Sequence, residues 1–202
     1  MPYLVEPARP DGSLRDLAQP RLAVDDGLVL RPWRDEDGPA LVSAFAVPDI
    51  QRWHLRRLDT EDEARAWIAA WADRWAQETD ASWAIAGTDD DRALGQVGLR
   101  TIMLAEGQAQ LSYWVRPAAR GTGAAARAVG ALTAWAFGTL RLHRLFLVHS
   151  TRNEPSCRVA GKAGFALEGT MRGHLQHADG WHDMHLHARL RTDPGALTHR
   201  PQ

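Results

Sequence analysis

The chain has 202 residues, 45% of them hydrophobic, with 24 Lys and Arg against 25 Asp and Glu. That length suits one compact domain with a sizeable core, and a net charge of −1 gives no general attraction to nucleic acid. The single cysteine, Cys157, excludes an internal disulfide framework and fits a cytoplasmic protein, and no apolar run approaches the ~20 residues that span a membrane.

Residues 1–26 hold Pro2, Pro7, Pro10 and Pro20 and read as an irregular N-terminal extension. Glu6, Arg9, Asp11, Arg15 and Asp16 interrupt it, which is not the pattern of a secretory signal. Residues 27–192 read as the folded domain and 193–202 as a tail. Leu28 to Trp33 is an apolar strand, and Asp35 to Phe45 a helix with acids in its first turn, where the dipole favours them. Thr60-Glu-Asp-Glu63 matches a capping box and opens a second helix. Trp67, Trp71 and Trp75 recur along it at four-residue spacing, the mark of a buried apolar face; an aromatic wall beside a pocket is the alternative. Strands at about 82–87 and 94–103 form a hairpin across Asp89-Asp-Asp-Arg92, and a third at 109–116 joins through Glu106-Gly107.

The next segment carries the most information. Leu111 to Ala126 runs from an apolar strand into Arg120-Gly-Thr-Gly-Ala-Ala125 and then an alanine-rich helix to about Thr139. A strand, a glycine turn and a helix N-terminus point several backbone N–H groups at one spot, which suits a pyrophosphate. A Walker loop would need Gly-Lys-Ser/Thr, and the chain's one lysine is Lys162. A dinucleotide site would need an acid about 20 residues on, where Leu140-Arg-Leu-His-Arg144 stands. Leu145 to Ser150 reads as a buried strand. Asn153 then caps a short helix that has Pro155 in its first turn and ends at Gly164. Strands near 165–175 and 183–190 complete a mixed α/β fold.

The pattern R-x-x-G-x-A, at Arg120, Gly123 and Ala125, resembles the coenzyme A pyrophosphate loop of the GNAT superfamily of N-acetyltransferases. N-x-x-S at Asn153 and Ser156, closing on Lys162-x-Gly-Phe165, is similar to the element that follows the pantetheine cleft in that family. Glu168-Gly-Thr-Met-Arg172 and Gly180-Trp-His-Asp183 resemble the C-terminal hairpin of its ribosomal-protein-acetylating, Rim-type branch. With Leu28–Trp33, the Trp53 segment and Ser82-Trp-Ala-Ile-Ala86, the resemblance spans residues 28 to 191.

This resemblance implies a GNAT-type central sheet with a splayed strand pair and flanking helices, and acetyl transfer from acetyl-CoA to a primary amine. The acceptor is a protein N-terminus or a small molecule. Trp114, Val115, Arg120, Gly121, Thr122, Gly123, Ala124, Ala125 and Asn153 become the cofactor-binding candidates, with the N–H near Val115 facing the thioester oxygen. The position where many members carry an acidic tyrosine is Ala160 here, which leaves Ser156 as the candidate acid. Many relatives carry a glutamate where this chain has Gln110, so the base is open among Asp183, His174, His54, Glu106 and an activated water. Trp53, His174 and Asp183 are the candidate acceptor-binding residues. Without a base, a non-catalytic acyl-CoA-binding module is the alternative. His174, His177, His182, His185 and His187 raise a zinc-binding interaction domain as a third reading. No Cys or HExxH element accompanies them in sequence, so sheet-surface histidines and no metal are expected. Homodimerisation through a sheet edge or the tryptophan-rich helix stays open.

Overall fold

The computed structural model describes residues 4–197. Its eight strands are β1 (Leu22–Ala23), β2 (Leu28–Arg31), β3 (Ala81–Gly87), β4 (Ala93–Met103), β5 (Gln108–Val115), β6 (Arg144–Ser150), β7 (Ala166–His177) and β8 (Gly180–Leu190). They form one sheet in the order β1-β2-β3-β4-β5-β6-β8-β7, antiparallel except where β5 meets β6. Helices α1 (Gly38–Phe45), α2 (Pro48–Gln51) and α3 (Glu61–Ala76) belong to one face, and α4 (Ala124–Gly138) and α5 (Glu154–Lys162) to the other.

Strand alternation splits the core accordingly. Trp83, Ile85, Val97, Leu99, Ala109, Leu111, Leu145 and Leu147 pack with α4 and α5, beside Val129, Leu132 and Ala136 of α4. Trp33, Ala84 and Trp114 pack with Leu41, Phe45, Ile50, Ile68 and Trp71. Trp71 and Trp75 are buried and Trp67 is half-buried, so the tryptophan stripe of α3 is a core face. The capping box forms as expected: Glu63 N–H donates to Thr60 Oγ1 at 3.2 Å, and Thr60 N–H to Glu63 Oε2 at 3.1 Å.

The helix expected from Asp35 to Phe45 is divided. Asp35–Asp37 is a 3-10 turn, and the α-helix begins at Gly38. Pro39 has no N–H to give an earlier turn, so it suits the first turn of a new helix and not the interior of an old one. The break frees the Asp37 carboxylate to pair with Arg31 at 2.7 and 2.8 Å.

Residues 8–26 lie against the body of the fold and include β1. Leu14 and Val24 are buried in the core. Trp75 Nε1–H donates to the Leu17 carbonyl at 3.0 Å, and Trp83 Nε1–H to the Pro20 carbonyl at 2.9 Å. The Glu78 carboxylate accepts N–H groups of Gly12, Leu14 and Arg15 at 2.7, 2.6 and 3.1 Å. Burial alone would raise its pKa, but these three donors hold it below the usual glutamate value. Replacing Glu78 with alanine should therefore cost about 2 kcal/mol in urea unfolding and open the segment before β1 to protease. A Glu78→Ala protein with unchanged stability and cleavage would show that the apolar contacts alone hold this segment.

Candidate functional site

β5 and β6 touch through three register pairs only: Gln108 with Arg144, Ala109 with Leu145 and Gln110 with Phe146. Beyond Gln110 the strands part, β5 staying on β4 and β6 on β8. The Arg116 N–H donates to the Leu94 carbonyl at 2.8 Å. By antiparallel alternation, the amides of Leu111, Tyr113 and Val115 then point away from β4 and into the gap.

A cavity of about 350 Å³ occupies this gap. Tyr113, Val115, Ala125, Asn153, Ser156 and Val159 line it on the α4–α5 face; Ile50, Trp53, His54 and Trp114 line it on the other. The cavity thus passes through the sheet. A larger surface depression of about 550 Å³, around Arg31, Arg34, Arg92 and Arg116, holds none of the site residues expected from sequence.

The glycine turn lies beside the cavity. Gly121 and Gly123 have φ of +78° and +80°, the left-handed region, while a Cβ on Gly121 would meet nothing within 4 Å. Backbone conformation, not crowding, demands glycine here. Gly123 caps α4, whose opening N–H groups have no carbonyl a turn below them. Thr122 Oγ1 accepts the Ala124 N–H at 3.3 Å and closes one side of the turn. Arg120 lines the cavity, and its Nη1 is 2.8 Å from Asp49 Oδ2, so its charge is already partnered by the segment across the opening.

Asn153 caps α5 through Oδ1, which accepts the Ser156 N–H at 3.2 Å, leaving Nδ2 for the cavity. Ser156 is half-buried on the cavity wall, and its carbonyl accepts the Tyr113 hydroxyl at 3.2 Å. Burial pushes the Tyr113 phenol up to about 12, against the opposing effect of that hydrogen bond. Ala160 is fully buried inside the core.

Of the candidate bases, His54 alone lines this cavity. Its Nδ1 is 2.7 Å from the Ile50 carbonyl, which fixes Nδ1 as the donor and leaves Nε2 with the lone pair. Burial holds its pKa below 6.5, although the carbonyl acts the other way. The imidazole is therefore neutral at pH 7.

Residues 27–166 match the family described as Acetyltransferase (GNAT) domain. This chain belongs to the GNAT acetyltransferase family. The uncharacterised N-acetyltransferase YoaA of Bacillus subtilis strain 168 is 26% identical over 151 residues, which is 74% of this chain and 85% of YoaA. Two solved structures share the fold. The ribosomal-protein-S5-alanine acetyltransferase of Vibrio fischeri superposes with a TM-score of 0.77 at 19% identity, over 87% of this chain and 98% of its own. RimJ of Mycobacterium smegmatis, solved with CoA-disulfide, gives 0.76 at 23%, over 85% and 86%. None of the described helices is long and apolar enough to cross a membrane.

The remaining expected residues of this GNAT protein scatter. His174 is exposed and borders a separate hollow with Gln108, Gln110, Arg144 and Phe146. Asp183 is exposed, and its carboxylate accepts the Gly173 N–H at 2.7 Å. Glu106 sits in the β4–β5 turn, paired with the Gln108 amide at 2.9 Å. Only Trp53 of the acceptor trio reaches the cavity between β5 and β6. The expectation of surface histidines also needs correction: His177, His182 and His187 are buried, as is His149. The β7–β8 hairpin is folded over by Trp53 at one end and crossed by α5 at the other, which removes both patches from solvent.

Burial lowers the pKa of His54 and of His177, and the neighbouring His182 lowers that of His177 further. A histidine depressed in the fold gives its full stability above the unfolded value of about 6.5 and loses it as pH falls through and below that value. The urea midpoint should accordingly drop between pH 7 and pH 5, and a His177→Asn variant should show a shallower drop. Parallel pH curves for the two proteins would remove His177 from this account.

Proposed function

We propose that the protein moves an acetyl group from acetyl-CoA to a primary amine, by direct attack of the amine on the thioester. The observation that carries this reading is the cavity through the sheet, with an anion-binding turn on one face and a neutral histidine on the other. The N–H groups of residues 121–125 would hold the pyrophosphate, and the open edge of β5 would pair with the pantetheine amides as an added strand does. Asn153 Nδ2 would donate to the same arm. Both the YoaA and the Rim-type names describe acetyl transfer, which supports the choice of acyl group.

The chemistry then follows from the two faces. An ammonium has no lone pair, so it must first lose a proton, and His54 Nε2 is the acceptor on the side from which the amine enters. The amine nitrogen attacks the carbonyl carbon, and the oxygen gains charge opposite the Val115 N–H. The C–S bond breaks, the sulfur leaves with the electron pair, and the second proton of the attacking nitrogen passes to the departing thiolate, giving the neutral amide and the CoA thiol. Thiolates have a reference pKa near 8.5, so a hydrogen bond from the Ser156 hydroxyl suffices to help it depart. A ribosomal-protein N-terminus or a small-molecule amine fits the same sequence of steps.

Two experiments test this. Calorimetry should give micromolar acetyl-CoA binding, lost by at least tenfold in Gly123→Trp, whose side chain fills the turn. With an amine that turns over, kcat/KM should rise with pH through a midpoint below 6.5, as His54 loses its proton. His54→Gln should lower kcat/KM on the order of 10²-fold, flatten that limb and leave acetyl-CoA affinity intact. Tight binding with no turnover across amines would favour a non-catalytic acyl-CoA-binding module, and no binding by a folded protein would overturn the proposal.

A further inference from the structure

Behind the cavity wall, α5 crosses β6 and β8 at a cluster that acetyl transfer does not use. His149 on β6 pairs in register with His185 on β8, and His187 lies two residues along on the same face. Cys157 comes down onto them from the first turn of α5. One ligand atom from each of the four residues lies within 4.8 Å of all the others. None of the four lines the cavity between β5 and β6.

The hydrogen bonds around the cluster fix its chemistry. His149 Nδ1 is 2.9 Å from the Ser150 carbonyl, and His187 Nδ1 is 3.3 Å from the Phe165 carbonyl. Carbonyls only accept, so both Nδ1 atoms carry the proton and both Nε2 atoms carry a lone pair. Those two Nε2 atoms are 3.2 Å apart. Two lone pairs at that distance repel unless a cation stands between or beside them. His185 Nδ1 is buried there as well, with no hydrogen-bond partner. Imidazoles anchored through one nitrogen to a carbonyl, with the other nitrogen aimed inward, are the second-sphere arrangement of a metal site.

We propose that His149, His185, His187 and Cys157 bind one zinc ion, in a tetrahedron of three imidazole nitrogens and one thiolate sulfur that fastens α5 to the sheet. Zinc takes imidazole at about 2.0–2.1 Å and thiolate at about 2.3 Å, which sets neighbouring ligand atoms roughly 3.3–3.7 Å apart. Small side-chain rotations contract the present cluster to that size. Cys157 loses its thiol proton to solvent on binding, and no redox change is involved. Four protein ligands close the coordination sphere, so the ion is structural and not a Lewis acid for the acetyl transfer. It holds the helix whose first turn carries Ser156, with Asn153 as its cap. The site stands independently of the acetyltransferase reading.

The test uses the full chain stripped with chelator and titrated with zinc, and with cobalt as a spectroscopic probe. One metal per chain should bind, with a tetrahedral cobalt spectrum, a thiolate-to-cobalt charge-transfer band and a rise in Tm on the order of 5–10 °C at a hundredfold excess over Kd. Cys157→Ser should abolish the charge-transfer band and weaken zinc binding at least tenfold. His185→Gln should weaken it similarly should the serine variant fold poorly. The exposed His143→Gln should behave as wild type. A folded wild-type chain that binds neither metal, or a charge-transfer band that survives in Cys157→Ser, would overturn the proposal.

Discussion

The site depends on one constraint, the parting of β5 from β6 after three parallel pairs. Up to Gln110 the two strands satisfy each other's backbone groups. Past it, the amides of Leu111, Tyr113 and Val115 have no strand partner, and such groups cannot stay buried unpaired at low cost. The gap therefore stays open to solvent or to an extended ligand. The parting has an identifiable origin on each side. β5 is held to β4 along its whole length, while β6 is drawn toward β8 by seven consecutive register pairs from Arg144 to Ser150. The two halves of the sheet diverge because each is complete without the other.

Such an opening needs stiff walls, and a buried charge supplies one of them. Arg31 is only 2% exposed, yet every guanidinium donor is engaged. Nε bonds to Asp91 Oδ1, Nη1 to Asp37 Oδ2 and the Pro32 carbonyl, and Nη2 to Asp37 Oδ1 and the Asp91 carbonyl. An arginine buried this fully is tolerated only with its fork filled. The network joins β2, the 3-10 turn before α1 and the β3–β4 turn, so it sets the angle at which α1 leaves the sheet. From α1 the chain passes through α2 to Trp53 and His54. Phe45, at the end of α1, meets His54 at 5.1 Å and Trp114 at 5.8 Å, both edge-on, which carries the position of α1 into the cavity.

Local chemistry made one half of the site readable in sequence. Gly121 and Gly123 in a strand–turn–helix, and Asn153 before Pro155, announce a left-handed turn and a helix cap within a few residues, and the structure shows both. The expected elements also recur with small shifts in their ends. The other half is assembled over long sequence separations. Nothing near His54 distinguishes it from His174; only the packing of α2 against Trp114 brings it to the cavity. Tyr113 stands one residue from a recognised candidate, yet its hydroxyl reaches Ser156 across 43 positions. Cys157 and His149 carry no signal linking them to His185 and His187, because the bond between them is the fold itself. The division of the Asp35–Phe45 helix is written at Pro39, whose missing N–H suits a first turn, while the acids at 35–37 suit the same position and so mask the break.

A last cluster shows how the hairpin reaches the cavity. Ser150 Oγ is 2.8 Å from His182 Nδ1, and His182 Nε2 is 2.8 Å from Asp179 Oδ1. The order Ser, His, Asp has the connectivity of a nucleophilic triad. Burial argues against that role, since Ser150 is 2% exposed and His182 1%, so no substrate carbonyl can approach the hydroxyl. Ser150 Oγ also accepts the Arg152 N–H at 3.1 Å, which ties it to the turn leading into α5. The three residues therefore act as a clasp, joining the end of β6 to the tip of the β7–β8 hairpin. Trp53 packs on that tip, 5.6 Å from the His177 ring and 6.2 Å from His182, with Arg52 over its own ring at 4.9 Å. Since Trp53 also lines the cavity, any displacement of the hairpin is felt at the rim through which the amine would enter. The glycine turn is tied to the same rim from the other face, through Arg120 Nη1 and Asp49 Oδ2 of α2 at 2.8 Å, so the two sides of the opening are held to one another.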